Sequence, residues 1–486
     1  MISQPIQSLI SIALSASLCC ISPALADSRK LPEIGTVAGT TLTIAQEKQY
    51  GDAYMRVLRS HQPVINDPVL NQYINTLGHK LVAHADNVKT PFHFFLIRKR
   101  EINAFAFFGG YVALHSGLFL HTRSQSELAS VMSHEIAHIT QRHLARSMEA
   151  EAKRSPATIA ALVGSLLLTI AAPEAGIAAM TATQAGSVQQ RINYTRANEK
   201  EADRFGIETL AKAGFDPYAM PRFFGKLAAE YQYASKPPAM LLTHPLPESR
   251  ITDSRERAQR YAHVDEKPSL AYQLARVRVI VRFTGIKAEA ALDWIKRHRP
   301  KHPSEISAAF DYGQALVYLD QKKLDEAEAI LNRLVQSSPD NSFYLDAMSD
   351  LYIDRQHPEK AVHLLAKLLK ESPHNQVLAI NYANALIKEK KYKDATRILH
   401  RYTHDFPDDS NGWSLLSQAS ALSGDEPEDL AARAEIMAMK ADWDQAIQYY
   451  TQASQLAKLG SLQQARYDAR IDQLIAQREQ FLALQE

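Results

Sequence analysis

The sequence of 486 residues predicts a mainly α-helical protein, in which a helical domain with a small β-sheet precedes an all-α solenoid of repeats. Three observations predict this fold class. Apolar residues recur at helical spacing around a His-Glu-Ile-Ala-His pentapeptide that runs from His134 to His138. Short aromatic and β-branched runs upstream of it are typical of strands. Alanines and prolines recur every 34 residues in the carboxy-terminal part, which indicates stacked helical pairs.

The composition is that of an ordinary protein surface. The formal net charge is +2 and 22% of the residues are charged. No basic cluster indicates a nucleic-acid partner or a polybasic membrane patch. The length allows two to four domains with sizeable cores. We therefore expect no nucleic-acid binding, and contact with a membrane that is peripheral at most.

Residues 1–26 have the pattern of a secretory signal peptide. An apolar run over residues 9–21 is followed by an A-x-A cleavage site at residues 24–26. A lipoprotein signal ending at Cys19 or Cys20 is the alternative, but the preceding position lacks the small residue that such a signal needs. Cleavage would remove both cysteines, so a metal site in the mature chain cannot be thiolate-based. The pattern predicts export to the periplasm.

The next segments are predicted to form two helices and two strands. Helical patterns cover about residues 43–60 and 68–85. Residues 92–97 and 111–114 are aromatic and β-branched enough to be strands, and the segment 103–110 separates them. An exposed strand edge could pair with the extended backbone of a substrate. A buried core strand explains the pattern equally well, and both interpretations stay open.

The pentapeptide lies on a predicted helix over about residues 125–150. Ser124 and Glu127 have the spacing of a capping box at its start. Residues four apart share a helix face, so His134 and His138 can bind one metal ion. Glu135 then lies where it can accept the proton of an attacking water molecule. The alternative interpretation is two surface histidines on an amphipathic helix.

A second predicted helix, around residues 193–206, supplies acidic side chains. Glu199 and Asp203 are four residues apart and project from one face. Glu199 can complete a His₂Glu ligand set with one open position, which is typical of catalytic zinc. Asp203 can accept a hydrogen bond from a ligand imidazole or steady a reacting group. A solvated acidic face that includes Lys200 is the alternative.

The spacing excludes the metzincin class of zinc peptidases. That pattern requires Gly three residues and His six residues after the second ligand histidine. Gln141 and Leu144 occupy these positions. His143 lies five residues after His138, away from the ligand face of a continuous helix. We expect His143 to be exposed to solvent.

Together these motifs resemble the M48 family of zinc metallopeptidases. The resemblance covers about residues 40–260 and rests on HEIAH, on EKEAD at 199–203, and on the segments 46–51, 103–118 and 243–251. One departure lies at Phe107 and Phe108, where many relatives have Leu-Pro, in a strand and turn rather than among the ligands.

The resemblance implies a helical zincin-type metallopeptidase domain with a small β-sheet, which binds one Zn²⁺ per chain. It implies His134, His138 and Glu199 as the metal ligands. It also implies Glu135 as the catalytic base and Asp203 as an accessory acid.

His244 and Arg250 follow in a proline-rich loop and the next predicted helix. His244 could occupy the open zinc position and hold the enzyme inactive, could stabilise the oxyanion of the reaction, or could be a structural loop histidine. Arg250 could pair with a carboxylate of the site or with Glu248. The sequence leaves these alternatives open.

Residues 157–172 form a run of small and apolar residues that ends before Pro173. As a helix this run would span roughly 24 Å, which is less than the hydrocarbon core of a bilayer. We interpret it as part of a helical hairpin between the two metal-binding helices. Contact of the hairpin with a membrane is the less favoured alternative.

The carboxy-terminal part has the 34-residue period of tetratricopeptide repeats. The period is marked by Ala327, Ala361 and Ala395 and by Pro339, Pro373 and Pro407. Ala446 marks an irregular fourth unit with an insertion, residues 266–305 form a preceding helical pair, and residues 464–481 form the terminal helix. Solenoids of this kind present a concave groove to peptides or partner proteins.

We therefore predict a signal peptide over 1–26, a peptidase domain over 27–265 and a repeat solenoid over 266–486. The predicted function is a secreted zinc endopeptidase that cleaves unfolded or misassembled proteins. Resemblance to repeat-carrying members of the family implies outer-membrane β-barrel proteins as clients and the barrel-assembly machinery as partner.

Two other functions are alternatives to this prediction. A chaperone or scaffold would bind through the repeats while its zinc site stays silent or blocked by His244. A missing base or ligand would favour it, but Glu135, Glu199 and Asp203 are all present. An intramembrane protease needs several spans of about 20 apolar residues, which the mature chain lacks.

Overall fold

The computed structural model describes residues 42–152, 196–231 and 239–484. The predicted signal peptide over 1–26 and the predicted hairpin around 157–172 lie outside these ranges. The described chain is mainly helical and contains one small sheet, which confirms the predicted fold class. In the part of the chain that is described, no helix is long and apolar enough to cross a membrane.

The first two helices agree with the sequence prediction and have recognisable starts. Helix α1, Ile44–His61, begins with a full capping box, in which Thr43 and Gln46 accept each other's backbone N–H groups. Helix α2, Pro68–Val82, is capped by the Asp67 carboxylate, which accepts from the Leu70 amide. Proline suits the first turn of α2 because no intrahelical donor is needed there.

Within the described ranges the sheet has three strands in the order β1-β3-β2. Strand β1 (His93–Ile97) runs parallel to β3 (Tyr111–His115), and β2 (Ala104–Phe107) runs antiparallel to β3. The prediction of β1 and β3 is confirmed. The prediction missed β2, which occupies the segment expected to separate them. Gly109 and Gly110, both at positive φ, form the tight turn that folds β2 back onto β3.

After the short helix α3 (Leu118–His121), the predicted helix over 125–150 is interrupted. Helix α4 covers Gln125–Thr140 and α5 covers His143–Ala152. Arg142 has the left-handed φ of 53° between them. Its guanidinium donates to Glu47 at 2.8 Å and to the Leu42 carbonyl at 2.6 Å, and these buried contacts hold the break. The single-helix prediction was therefore wrong.

The start of α4 is only partly as predicted. Ser124 accepts the backbone N–H of Glu127 and is the N-cap. The Glu127 carboxylate accepts from the Arg123 amide rather than from that of Ser124. The second hydrogen bond of the predicted capping box, from the Ser124 amide to the Glu127 carboxylate, is therefore not formed between these two residues.

Among the described residues, four further helices follow before residue 265. They are α6 (Arg196–Lys212), α7 (Ala219–Tyr231), α8 (Ala239–Thr243) and α9 (Glu248–Ala258). Helix α6 packs along α4, and α7 and α9 pack beside that pair. This arrangement places the first turns of α6 next to the second half of α4.

The carboxy-terminal part consists of paired helices, as the 34-residue period predicts. They are α10 (Leu270–Phe283), α11 (Ala288–His298), α12 (Ser307–Asp320), α13 (Leu324–Ser337), α14 (Ser342–Asp354), α15 (Pro358–Glu371), α16 (Gln376–Lys388), α17 (Tyr392–Asp405), α18 (Ser410–Ser423), α19 (Glu426–Ala438), α20 (Trp443–Leu456) and α21 (Leu462–Ala483). The repeat alanines are fully buried at Ala327, Ala361, Ala395 and Ala446. Helices α18 and α19 lie between the helix that contains Ala395 and the helix that contains Ala446, which explains why these two alanines depart from the 34-residue spacing.

The two parts of the chain share one apolar core. A single cluster of buried side chains extends from α2, the sheet and α4 into α10, α12 and α14. Arg278 on α10 crosses the junction and contacts Asp67 at the start of α2 and Asp346 on α14, both at 2.7 Å. At the far end, Phe481 of α21 packs against the cluster that contains α1. The division at residue 265 stays a prediction, because the packing is continuous across it.

Candidate metal centre

The imidazoles of α4 and the first carboxylate of α6 meet in the interior. His134 Nε2 lies 3.0 Å from His138 Nε2. Glu199 places Oε2 at 3.4 Å from His134 Nε2 and Oε1 at 3.5 Å from His138 Nε2. All three side chains are buried. The helical spacing predicted from the pentapeptide therefore brings both imidazoles to one point, and α6 brings Glu199 to the same point.

This donor set fits a zinc ion. Tetrahedral coordination at the usual Zn–N and Zn–O distances places ligand atoms roughly 3.3–3.6 Å apart. The three separations among His134, His138 and Glu199 lie close to that range. Ligand atoms of these residues and of His244 all lie within 4.8 Å of one another. Two buried imidazoles that face each other beside a carboxylate form a favourable environment for a cation.

A glycine permits the close approach of the two helices. Gly206 on α6 lies against α4, where a Cβ atom would be 3.2 Å from both the Cα and the amide nitrogen of His134. The same Cβ would be 3.0 Å from the Met220 side chain. A side chain at this position would push α6 away from α4 and with it Glu199.

The outer nitrogen of His134 faces a carboxylate that an arginine holds. Asp203 Oδ1 lies 3.0 Å from His134 Nδ1. Arg250 donates to Asp203 from Nε at 2.8 Å and from Nη2 at 2.7 Å, and its Nη1 lies 2.7 Å from Glu199 Oε2. Arg250 thus contacts two carboxylates of the site, and these pairs, not one with Glu248, are the ones seen in the structure.

The ionisation of these groups follows from burial and from their neighbours. Burial raises the pKa of Asp203, but Arg250 outweighs it and the pKa is lowered. Burial lowers the pKa of His134, yet the hydrogen bonds with Asp203 and Glu199 prevail and raise it to about 10. Burial also opposes ionisation of Glu199, and the facing histidines hold its pKa well below the usual range. The site therefore favours a positive charge among ionised carboxylates.

The outer nitrogen of His138 faces another histidine. His143 Nδ1 lies 2.8 Å from His138 Nδ1, and His143 Nε2 lies 3.1 Å from Glu201 Oε2. Arg146 in turn contacts that carboxylate oxygen at 2.8 Å. The hydrogen bond with His143 is the main reason that the pKa of Glu201 is lowered to about 2.

The prediction that His143 is exposed was wrong, because its side chain is completely buried. The prediction assumed a continuous helix. The left-handed Arg142 turns the chain, and His143 becomes the first residue of α5, where it points back at His138. A histidine just after the second ligand was visible in the sequence, but the helix break was not.

Glu135 is fully buried beside the candidate metal-binding side chains. Its carboxylate faces the backbone of Ala106 and the imidazole of His244, whose Nε2 lies 3.6 Å from Oε1. Burial raises its pKa, against a smaller lowering by His244 and His134. A carboxylate of raised pKa beside a candidate metal position can both accept and return a proton.

His244 reaches the same cluster from the loop after α8. Its Nδ1 lies 3.1 Å from Glu199 Oε1, and its Nε2 lies 3.6 Å from Glu135 Oε1. Its ring centre lies 5.2 Å from those of both His134 and His138. The side chain is buried. The structure therefore brings His244 together with the three candidate ligands and Glu135, whereas Asp203 lies behind His134.

Strand β2 is an edge strand of the described sheet and lies beside the site. The His115 amide donates to the Asn103 carbonyl, and in an antiparallel register the bonded pairs then alternate. Ala104 and Ala106 fall at the positions whose backbone groups point away from β3. Helix α4 packs against β2, and the Ala106 backbone faces Glu135. Strand β3, by contrast, is central and buried throughout.

Comparison with known proteins agrees with this geometry. The profile of Peptidase family M48 matches residues 68–258, and two tetratricopeptide profiles match residues 287–342 and 352–419. An Escherichia coli K12 protein named beta-barrel assembly-enhancing protease is 47% identical over 462 residues, which cover 95% of this chain and 94% of that protein. The chain belongs to peptidase family M48. It is thus a metallopeptidase with carboxy-terminal tetratricopeptide repeats.

Two further relatives show how far the likeness extends. A Vibrio cholerae protein, provisionally described by the same name, is 69% identical over 481 residues, or 99% of each chain. Metalloprotease LoiP of E. coli is 23% identical over 223 residues, which cover 82% of LoiP and 45% of this M48 chain. The family, the enzyme class and the presence of repeats, all predicted from the sequence, are therefore confirmed.

Proposed function

We propose that this M48 peptidase is a zinc-dependent endopeptidase of the periplasm, which hydrolyses misassembled outer-membrane β-barrel proteins. The observation that carries the proposal is the convergence of two buried imidazoles and a buried carboxylate next to Glu135. The predicted signal peptide supports the location.

In the proposed site, His134, His138 and Glu199 hold one zinc ion per chain. When bound, the ion supplies Lewis-acid chemistry that polarises the scissile carbonyl and acidifies a water molecule. Glu135 accepts the proton of the attacking water and then donates it to the leaving amine. Its burial supports this role, because burial raises the pKa of the carboxyl group towards neutral pH, where the group can both accept and donate a proton.

Asp203 and Arg250 have positioning roles in this proposal. Asp203 accepts the outer N–H of His134, which fixes the ring and leaves Nε2 free to bind metal. Arg250 fixes Asp203 and also the carboxylate of Glu199. Because Asp203 lies against the outer nitrogen of His134, its proposed role is to orient that imidazole and not to contact a reacting group.

The edge strand β2 is the proposed binding place for substrate backbone. An extended peptide could pair with the backbone of Ala104 and pass in front of Glu135. Main-chain pairing does not depend on side-chain sequence, which suits a protease for misassembled proteins. The names of the E. coli and Vibrio cholerae relatives support β-barrel proteins as clients. The repeats would then bind clients or the barrel-assembly machinery.

Metal dependence is tested by removing and restoring the metal. Purified mature protein should lose cleavage of casein on treatment with a chelator, and about one equivalent of zinc should restore it. Cleavage that persists after complete removal of metal would contradict the proposed site.

Client class is tested with one barrel protein in two states. The unfolded form of an outer-membrane β-barrel protein should be cleaved, and the same protein folded in detergent should resist. Equal cleavage of both forms would contradict recognition of exposed, extended backbone.

The position of His244 favours a second candidate function, a chaperone whose protease site is latent. Its side chain lies in the ligand cluster and could take the open zinc position. If it blocks the site, His244→Ala should raise casein cleavage several-fold without changing the zinc content. If it stabilises the oxyanion, the same variant should lose activity by about 10²–10³-fold.

A further inference from the structure

The two candidate histidine ligands are held by different partners. His134 faces the carboxylate of Asp203, whereas His138 faces an imidazole, that of His143. A ligand imidazole that binds metal through Nε2 must carry its proton on Nδ1. Asp203 can only accept a hydrogen bond and so selects that form of His134. For His138 the selection depends on how His143 is itself protonated.

The far side of His143 decides this protonation. Its Nε2 lies 3.1 Å from Glu201 Oε2. Arg146 lies 2.8 Å from the same oxygen, so Glu201 is an ionised carboxylate and can only accept. The proton of His143 therefore belongs on Nε2, where it is donated to Glu201. This leaves a lone pair on His143 Nδ1, which faces His138 Nδ1 at 2.8 Å.

We propose that His143 is a positioning residue for the metal, because it accepts the Nδ1–H of His138 and thereby directs the lone pair of His138 Nε2 at the zinc position. The chain of groups from His138 through His143 and Glu201 to Arg146 is called the His143 relay. It deepens the proposed function and rests on it, since it assigns a new residue to the same metal centre.

The backbone supports the relay. On a continuous helix His143 would lie well away from His138. The left-handed Arg142, anchored to Glu47 and to the Leu42 carbonyl, redirects the chain so that α5 begins at His143. The two rings meet at 79° with their centres 4.8 Å apart, and His143 is completely buried. A non-glycine residue adopts the left-handed conformation where surrounding contacts hold it there.

Two amide variants separate positioning from packing. The amide of His143→Asn can place an acceptor near the position of Nδ1, beside His138. The longer amide of His143→Gln can place a donor near the position of Nε2, beside Glu201, but leaves His138 without its acceptor. Gln is closer to His in volume than Asn is, so a role in packing alone would favour Gln.

The measurement is zinc affinity by competition with a chelator of known affinity, with thermal unfolding of each metal-free variant as a check on folding. We expect zinc binding to weaken about 10–100-fold in His143→Gln and distinctly less in His143→Asn. Glu201→Gln should also weaken zinc binding. The amide of the new side chain can donate to His143 Nε2, and the His143 proton would then move to Nδ1. Glu208→Gln, a change on the same helix that alters only a surface pair with Lys212, is the matched control.

The outcomes separate this proposal from the proposed function. The relay is supported if the wild-type protein binds about one zinc ion per chain and zinc affinity decreases from wild type to His143→Asn to His143→Gln. Wild-type affinity in His143→Gln, or weaker binding in the Asn than in the Gln variant, overturns the relay and leaves the metal site standing. Absence of zinc binding in the wild-type protein overturns the proposed function itself.

Discussion

At the scale of single residues, the site is built from side chains whose protons are assigned by their neighbours. Asp203 faces His134 and His143 faces His138, so both ligand imidazoles are directed by a second group. Arg250 contacts Asp203 directly, whereas His143 contacts Glu201, which Arg146 holds in turn. Each candidate ligand imidazole therefore lies at the end of a short chain of polar side chains.

The ligand role of Glu199 is the residue-scale prediction that the structure supports most directly. Glu199→Ala should remove one of three proposed ligands and leave Arg250 without one of its carboxylates. Zinc content of purified protein, measured by atomic spectroscopy, should fall well below one per chain. Unchanged stoichiometry would mean that another residue, such as His244, is the third ligand.

The sequence predicts part of this residue-scale arrangement. His134, Glu135 and His138 follow from spacing on one helix, because their relation is local. Glu199 and His244 lie far away in sequence, and resemblance to the family or the position of a loop was needed to suggest them. The environment of His143 could not be predicted, because one left-handed residue reverses the direction in which the side chain points.

At the scale of elements, the distance between α4 and α6 controls the site. Gly206 provides the clearance for His134, and α9 brings Arg250 to the acidic side chains of α6. The sequence predicted both helices that carry the candidate ligands, but it did not predict how they cross. Strand β2 was also missed, because four residues before a Gly-Gly turn give too short a pattern.

A pair of glycine variants tests the role of the helix crossing. Gly206→Ala should destabilise the protein and weaken zinc binding, because the new methyl group meets the backbone of His134. Gly225→Ala, on α7, has no atom within 4 Å of the new group. It should be neutral or stabilise by up to about 1 kcal/mol.

Urea unfolding and chelator competition measure the two effects. Equal behaviour of the two variants would show that the approach of α6 to α4 does not determine metal affinity.

At the scale of the whole molecule, the peptidase part and the first repeats form one packed body. The apolar core is continuous across the predicted boundary, and Arg278 joins α10 to α2 and α14 through two buried carboxylates. The 34-residue period predicted the repeats themselves. It could not predict that they pack against the catalytic part, because the contacts join residues far apart in the sequence.

The buried junction gives the whole-molecule prediction. Arg278→Ala leaves Asp67 and Asp346 buried without their cation, so the free energy of unfolding should fall by about 3–5 kcal/mol. Arg397→Ala is the control, since its side chain is 76% exposed and its pair with Asp394 should contribute less than about 1 kcal/mol. Chemical denaturation of both variants gives the comparison. A loss in Arg278→Ala no larger than in the control would show that the junction does not depend on this arginine.

The central claim is that a buried metal site with Glu135 as its base carries out peptide hydrolysis. The most direct test measures zinc content and casein cleavage together, on purified mature protein and on Glu135→Gln. We predict zinc near one per chain in both proteins, with cleavage abolished only in the variant, because Gln cannot accept the proton of the attacking water. Full cleavage by Glu135→Gln, or loss of zinc from the wild-type protein as purified, would contradict the account.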